Sequence, residues 1–146
     1  ELSAQEKQLV ANAKSAVTTA YAPYSGFLVG ASVLLDNGEI INGSNQENVA
    51  YPSGLCAERV ALFYAGARFP DVKIKTIAVS VMSKNFKVTD VISPCGACRQ
   101  VMAEYEDKQE QAIKVILHSP TDQVLIANTV ESLLPFMFKS PLLKQH

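Results

Sequence analysis

The three cysteines of this chain fall in two short motifs, each placed where a helix begins. The first is Cys56-Ala57-Glu58-Arg59 and the second is Pro94-Cys95-Gly96-Ala97-Cys98-Arg99-Gln100. A Cys-x-x-Cys turn presents two thiolates to one metal, and a distant third cysteine completes three corners of a tetrahedron. A chain that uses all three together must bring two helix starts to one point. No cysteine is left over for a disulfide, and the histidines are His118 and the terminal His146. Structural zinc sites close with a fourth protein ligand, whereas catalytic ones leave that position to water. Three cysteines with a glutamate two residues after the first therefore read as an open zinc site with its own acid/base, Glu58.

The rest of the chain supplies a scaffold for such a meeting. Ser3-Ala4-Gln5-Glu6 is a capping box, and Leu9, Val10, Ala13, Ala16, Val17 and Ala20 line one face of a helix running to about Tyr21, with Pro23 as its stop. Phe27 to Leu35 is a strand, turned by Asp36-Asn37-Gly38 into a second at Glu39 to Gly43. Ser44 to Leu55 reads as a loop, and Cys56 opens a helix to about Arg68. Ile74 to Val81 is a buried strand, Gly96 to about Glu106 a helix, and Ile113 to Leu117 and Val124 to Ala127 two further strands. A short helix at Val130 to Leu134 precedes Pro135. The order α-β-β-α-β-α-β-β-α predicts an α/β fold: one mixed five-stranded sheet in a three-layer α/β/α sandwich, with residues 1–146 as a single domain.

Composition narrows the function classes. Hydrophobic residues make up 48% and charged ones 18%, which argues against disorder and suggests surface covered by other subunits. With a net charge of −1 and no basic run, the chain lacks the footprint of a nucleic-acid binder. No apolar stretch is long enough to span a bilayer, so no membrane partner is expected. Unpaired thiols fit a reducing, cytoplasmic compartment. The start at Glu1 rather than Met points to residues missing or processed at that end.

Helix N-termini carry partial positive charge and favour thiolates. Three thiolates and one Zn²⁺ sum to −1, and Arg59 and Arg99, beside the motifs, can offset that excess by hydrogen bonding to sulfur. Glu58 points away from the ligand direction of Cys56. It reaches the metal-activated water from the side, takes its proton and hands it to a substrate nitrogen.

With these residues in view, the chain resembles the zinc cytidine deaminases of the small homotetrameric type. Zinc-dependent deaminases use a three-cysteine ligand option with a glutamate that is not a ligand. Ala22-Pro23-Tyr24-Ser25 with Phe27, Val29 and Gly30 is similar to that family's entry into the first strand. Asn45-Gln46-Glu47-Asn48 is similar to its ribose-binding segment, and Glu131 to Pro135 through Phe138 to its C-terminal segment. The resemblance implies that Cys56, Cys95 and Cys98 bind one zinc per subunit and that Glu58 shuttles protons. It implies that Asn45 and Glu47 hold the ribose, Phe27 lines the base, the Ala57 N–H meets the pyrimidine carbonyl and the Ser93 carbonyl meets the leaving amine. Phe138 is expected to stack on a base bound in a neighbouring subunit of a homotetramer. The implied reaction is hydrolysis of cytidine or 2′-deoxycytidine to the uridine with release of ammonia, a step of pyrimidine salvage.

Some stretches depart from the family pattern. Pro52-Ser53-Gly54-Leu55 leaves the entrance near Tyr51 unassigned, Lys84 to Ile92 reads as a surface extension, and the apolar tail at Pro141-Leu142-Leu143 has no assigned place. His118 is read as a satisfied polar group, and Arg99 as either a sulfur partner or a subunit contact. Two other functions remain in view: deamination of a different aminated nucleoside, such as an aminonucleoside antibiotic, and a catalytically inactive zinc protein that captures nucleosides. Asn45-x-Glu47 speaks for a ribose-bearing substrate, and the presence of Glu58 speaks against pure binding.

Overall fold

The computed structural model describes residues 1–144, so His146 lies outside the described residues. Helix α1 (Ala4–Ala16) begins with the expected capping box: the Ser3 hydroxyl accepts from the Glu6 N–H at 3.2 Å, and the Glu6 carboxylate accepts from the Ser3 N–H at 2.8 Å. It ends earlier than the apolar periodicity suggests. Val17–Thr19 tightens into a 3₁₀ turn, where the Thr18 and Thr19 hydroxyls donate back to the Ser15 and Ala16 carbonyls. Such back-bonding competes with helix continuation, and Ala20 is already extended, before Pro23 is reached.

Strand β1 (Phe27–Leu35) has the expected bounds, and β2 (Ile40–Ser44), β3 (Ile74–Ser83), β4 (Lys114–His118) and β5 (Val124–Ala127) complete a sheet of order β2-β1-β3-β4-β5. All pairs are antiparallel except β3–β4. A parallel pair requires a crossover, and α3 (Gly96–Gln109) provides it, three residues longer than the sequence pattern suggests. Side chains alternate across the sheet as a period of two demands. Ala31, Val33 and Leu35 of β1, Ile77 and Val79 of β3, and Val115 and Leu117 of β4 pack against α2 (Ala57–Arg68) and α3. The intervening Leu34, Ala78 and Ile116 pack against Leu9, Val10 and Ala13 of α1. The result is the expected three-layer sandwich, with α1 on one face of the mixed sheet and α2 and α3 on the other.

This layering places the N-termini of α2 and α3 side by side. The loop before α2 is strapped down at both ends. Gln46 exchanges backbone hydrogen bonds with Leu55 at 2.9 Å, and the Glu47 N–H donates to the Tyr21 carbonyl at 2.8 Å. His118 is buried and satisfied, as expected, with the Ser80 hydroxyl at 3.1 Å from Nδ1 and Asp122 at 2.9 Å from Nε2. No helix among the described residues is long and apolar enough to cross a membrane.

Candidate active site

Cys56 is the N-cap of α2, Cys95 the N-cap of α3, and Cys98 lies in the first turn of α3. Neither cap is closed by a side-chain hydrogen bond, so the first N–H groups of both helices are left without a capping side chain. The three Sγ atoms lie within 4.8 Å of one another. A zinc ion held at about 2.3 Å by tetrahedral sulfurs needs them about 3.8 Å apart, so the donor set fits this metal after a movement of under about 1 Å. Charge tells the same story. The Cys56 thiol is brought down to about 5 by a hydrogen bond from Cys98 and by the Arg59 guanidinium, against the opposing effect of burial. Cys98 is pushed far up because it gives its proton to Cys56, because it is buried, and because Glu58 is near. A divalent metal would take the place of the thiol protons, which is how thiolate sites link binding to proton release.

The Arg59 Nη2 donates to Cys56 Sγ at 3.4 Å. Its buried Nε has no hydrogen-bond partner among the described residues. Arg99 bonds no ligand sulfur among the described residues. Its Nε donates to the Pro94 carbonyl at 2.8 Å and its Nη1 to the Leu133 carbonyl at 2.7 Å, so it ties the start of α3 to the C-terminal segment.

Glu58, in the first turn of α2, is 5% exposed. Burial raises its carboxyl above the ordinary carboxylate range; its own backbone N–H pulls the other way, and the Cys56 charge adds to the rise. A carboxylate with raised proton affinity suits a group that must take and return protons near neutral pH. It lines a cavity of about 300 Å³ together with Cys56, Cys95, Phe27, Asn45 and Ser93. Ala57, fully buried, follows Cys56 as the first residue of α2. A second depression of about 480 Å³ shares Ser25, Asn45, Glu47 and Cys56 with the first and opens past Tyr24 and Tyr51, whose rings meet edge to face at 6.0 Å. Tyr51, unassigned from sequence, thus stands at the mouth.

Asn45 spans two residues of β1: its Oδ1 accepts from the Val29 N–H at 2.8 Å, and its Nδ2 donates to the Phe27 carbonyl at 2.9 Å. One amide N–H and one lone pair remain for a ligand. The Glu47 carboxylate accepts from the Tyr24 N–H at 2.8 Å, from the Ser25 N–H at 3.3 Å and from the Ser25 hydroxyl. These bonds, that of the Ser25 hydroxyl foremost, hold it below the usual carboxylate range. Phe138 is not among the residues that line this cavity. Gln100 of α3 clamps its backbone through two hydrogen bonds, and its side chain is 75% exposed.

Sequence reasoning missed several residues here. Lys84 to Ile92 is not a plain surface extension: Val88 is buried, Ile92 lines the cavity, and the Phe86 ring stacks on Phe27. The signal available was four apolar residues, Phe86, Val88, Val91 and Ile92, spaced through a stretch of charged and polar ones. Ser25, which lines the cavity and binds Glu47, lies in the strand-entry segment but carried no role of its own in the sequence reading.

Residues 3–113 match the model of the cytidine and deoxycytidylate deaminase zinc-binding region. The chain belongs to the cytidine and deoxycytidylate deaminase family. It is 36% identical over 132 residues to a cytidine deaminase of Halalkalibacterium halodurans, covering 90% of this chain and 92% of that one. It is 44% identical over 102 residues to a cytidine deaminase of Sporosarcina psychrophila, covering 68% of each chain. Among solved structures, a cytidine deaminase from Burkholderia pseudomallei superposes with a TM-score of 0.79 at 37% identity, over 90% of this chain and 98% of that one. One from Mycobacterium tuberculosis gives 0.73 at 30% identity, over 94% and 100%. The fold of this deaminase-family chain is therefore the one expected, and zinc is its cofactor: the matched region is a zinc-binding one, and three cysteine sulfurs converge within it.

Proposed function

We propose that residues 1–146 form one catalytic domain that hydrolyses cytidine and 2′-deoxycytidine to uridine and 2′-deoxyuridine, releasing ammonia. The observation that carries this reading is a buried carboxylate, Glu58, on the wall of a cavity that Cys56 and Cys95 also line. Cys56, Cys95 and Cys98 hold the zinc. When bound, the metal would make water nucleophilic near neutral pH. Glu58 takes two protons from the attacking water in turn, passing the first to the ring nitrogen and the second to the departing amine. The oxygen of water bonds to the amine-bearing carbon, the C–N bond breaks, and ammonia leaves. Arg59 tempers the sulfur charge through Cys56.

Phe27 supports the base, and the Ala57 N–H and Ser93 carbonyl face its polar edges. Asn45 and Glu47 hold the sugar hydroxyls. A site built to hydrogen-bond hydroxyls rejects analogues that lack them, because its own polar groups are left unpaired. Four subunits assemble, each lending Phe138 to a neighbour's site. Supporting this are the exposed Phe138 side chain on a clamped backbone and the apolar surface at Phe136 and Leu142. A cytoplasmic place in pyrimidine salvage accords with three free thiols and a nucleoside substrate.

The test is a panel of cytidine, 2′-deoxycytidine and free cytosine, with ammonia counted against uridine formed. Turnover of the nucleosides with little or none of cytosine is expected. Equal turnover of cytosine overturns the ribose assignment, and no turnover of either nucleoside overturns the reading as a whole.

A further inference from the structure

The segment Lys84–Phe86 lies outside every motif in the chain, yet it grips the entry to β1. The Asn85 Nδ2 donates to the Ser25 carbonyl at 2.8 Å, and the Lys84 N–H donates to the Gly26 carbonyl at 2.9 Å. Gly26 has φ of +65°, which favours glycine, and a Cβ there would stand 2.5 Å from Asn85 Nδ2 and displace that amide from the Ser25 carbonyl. From the other side the Glu47 carboxylate holds the Tyr24 and Ser25 N–H groups. Residues 24–27 are thus fixed between Glu47 and Asn85. Phe27 leaves this strap to line the cavity, and the Phe86 ring lies parallel to it, with centroids 6.3 Å apart and planes 9° apart.

Phe86 is 57% exposed, and among the described residues the one aromatic ring it meets is that of Phe27. Two residues on, Val88 is buried at 6%, which anchors the segment and leaves Phe86 facing Phe27. Phe86 itself is not among the residues lining the cavity. Resting on the deaminase reading above, we infer that Phe86 is a positioning residue: by stacking on Phe27 it fixes the ring plane against which the pyrimidine packs, and so sets affinity for the base without touching the chemistry. A partly exposed phenylalanine at the first position of a strand otherwise samples more than one rotamer, and each departure from the packing plane weakens the base contact.

The experiment is steady-state kinetics of zinc-loaded Phe86→Ala, Phe86→Leu and Phe86→Tyr with cytidine, together with Phe27→Ala and the double variant. Because the ring is half exposed, these variants keep the fold; zinc content and thermal melting check this on each sample. Phe86→Ala should raise KM by about 2- to 12-fold, the equivalent of the stacking worth of one aromatic pair, with kcat within about twofold. Phe86→Tyr should restore KM, whereas Phe86→Leu should not, since it supplies apolar cover without a ring face. In the Phe27→Ala background, Phe86→Ala should add nothing to KM. An unchanged KM in Phe86→Ala, full rescue by leucine, or additive effects in the double variant each overturns the inference. A wild-type protein that does not deaminate cytidine instead overturns the reading beneath it.

Discussion

Gly43→Ala is the perturbation that tests how the fold sets the metal geometry. Helix α2 lies directly on β2 at this point, and a Cβ on Gly43 would stand 2.7 Å from the Ala61 nitrogen and 2.8 Å from the Ala57 carbonyl oxygen. Both are backbone atoms, so no side chain can swing aside. Ordinary contact begins near 3.5 Å, and α2 must therefore lift by about 0.7 Å. Ala57 adjoins Cys56, so the lift carries that sulfur away from Cys95 and Cys98 of α3. Ligand distances in metal sites hold to within about 0.2 Å, so the site must either distort or strain the helix back. Overpacking of this kind costs about 1–3 kcal/mol, or a fall in Tm of about 2–12 °C for a chain of this size. Zinc affinity, read by competition with a chromophoric chelator, should drop at least about tenfold. Gly30→Ala is the companion variant. Its Cβ would clash with the Ala13 carbonyl oxygen and stand 2.6 Å from the Val17 nitrogen, on the α1 face of the sheet, which carries no cysteine. It should destabilise at least as much and leave zinc affinity near wild type. Equal zinc loss in both variants, or none in Gly43→Ala, refutes the claim that the α2–β2 contact sets the ligand geometry.

Arg59→Ala should lower zinc retention under chelator challenge and activity together, by about 10–100-fold, because the hydrogen bond to Cys56 Sγ at 3.4 Å is lost; unchanged retention and activity would reduce Arg59 to a helix residue. Glu6→Gln should lower Tm at pH 7 by about 2–4 °C, roughly the worth of a cap contact and an ion pair. Glu6 is held below its ordinary value first by Lys114 and then by the Ser3 N–H. Its charged form therefore adds stability that is complete at neutral pH and lost as pH falls through the lowered folded value, so wild type and variant should converge in acid. Convergence at neutral pH instead would show that the pair is idle. Phe138→Ala should raise KM about 2- to 12-fold with zinc in place, and light scattering should find a tetramer; a fully active monomer contradicts the shared site.

What the sequence made legible was whatever depends on local pattern. The bounds of β1 followed from an apolar run between Gly26 and Asp36, and the convergence of Cys56, Cys95 and Cys98 followed from the spacing of metal ligands at helix starts. Local hydroxyl chemistry at Thr18 and Thr19 outweighed an apolar periodicity that continued to Ala20, which is why α1 stops short. The partners of Arg99 were illegible because Leu133 reaches it only after the C-terminal segment folds back over α3. Phe86 was hidden for a similar reason: its meeting with Phe27 depends on β1–β3 register, where Phe27 stands opposite Ser83. Periodicity within one segment carries no information about such a pairing.

The most direct test of the central claim is made on one sample of Glu58→Gln, with zinc content, cytidine binding and turnover measured together. Glu58 is buried on the cavity wall, and glutamine preserves its shape while losing the ability to relay a proton. The account predicts wild-type zinc, cytidine bound at near wild-type affinity, and turnover reduced by at least about 10²–10⁴-fold. Turnover at about a tenth of wild type or more, with zinc in place, contradicts the assignment of Glu58 as the proton carrier.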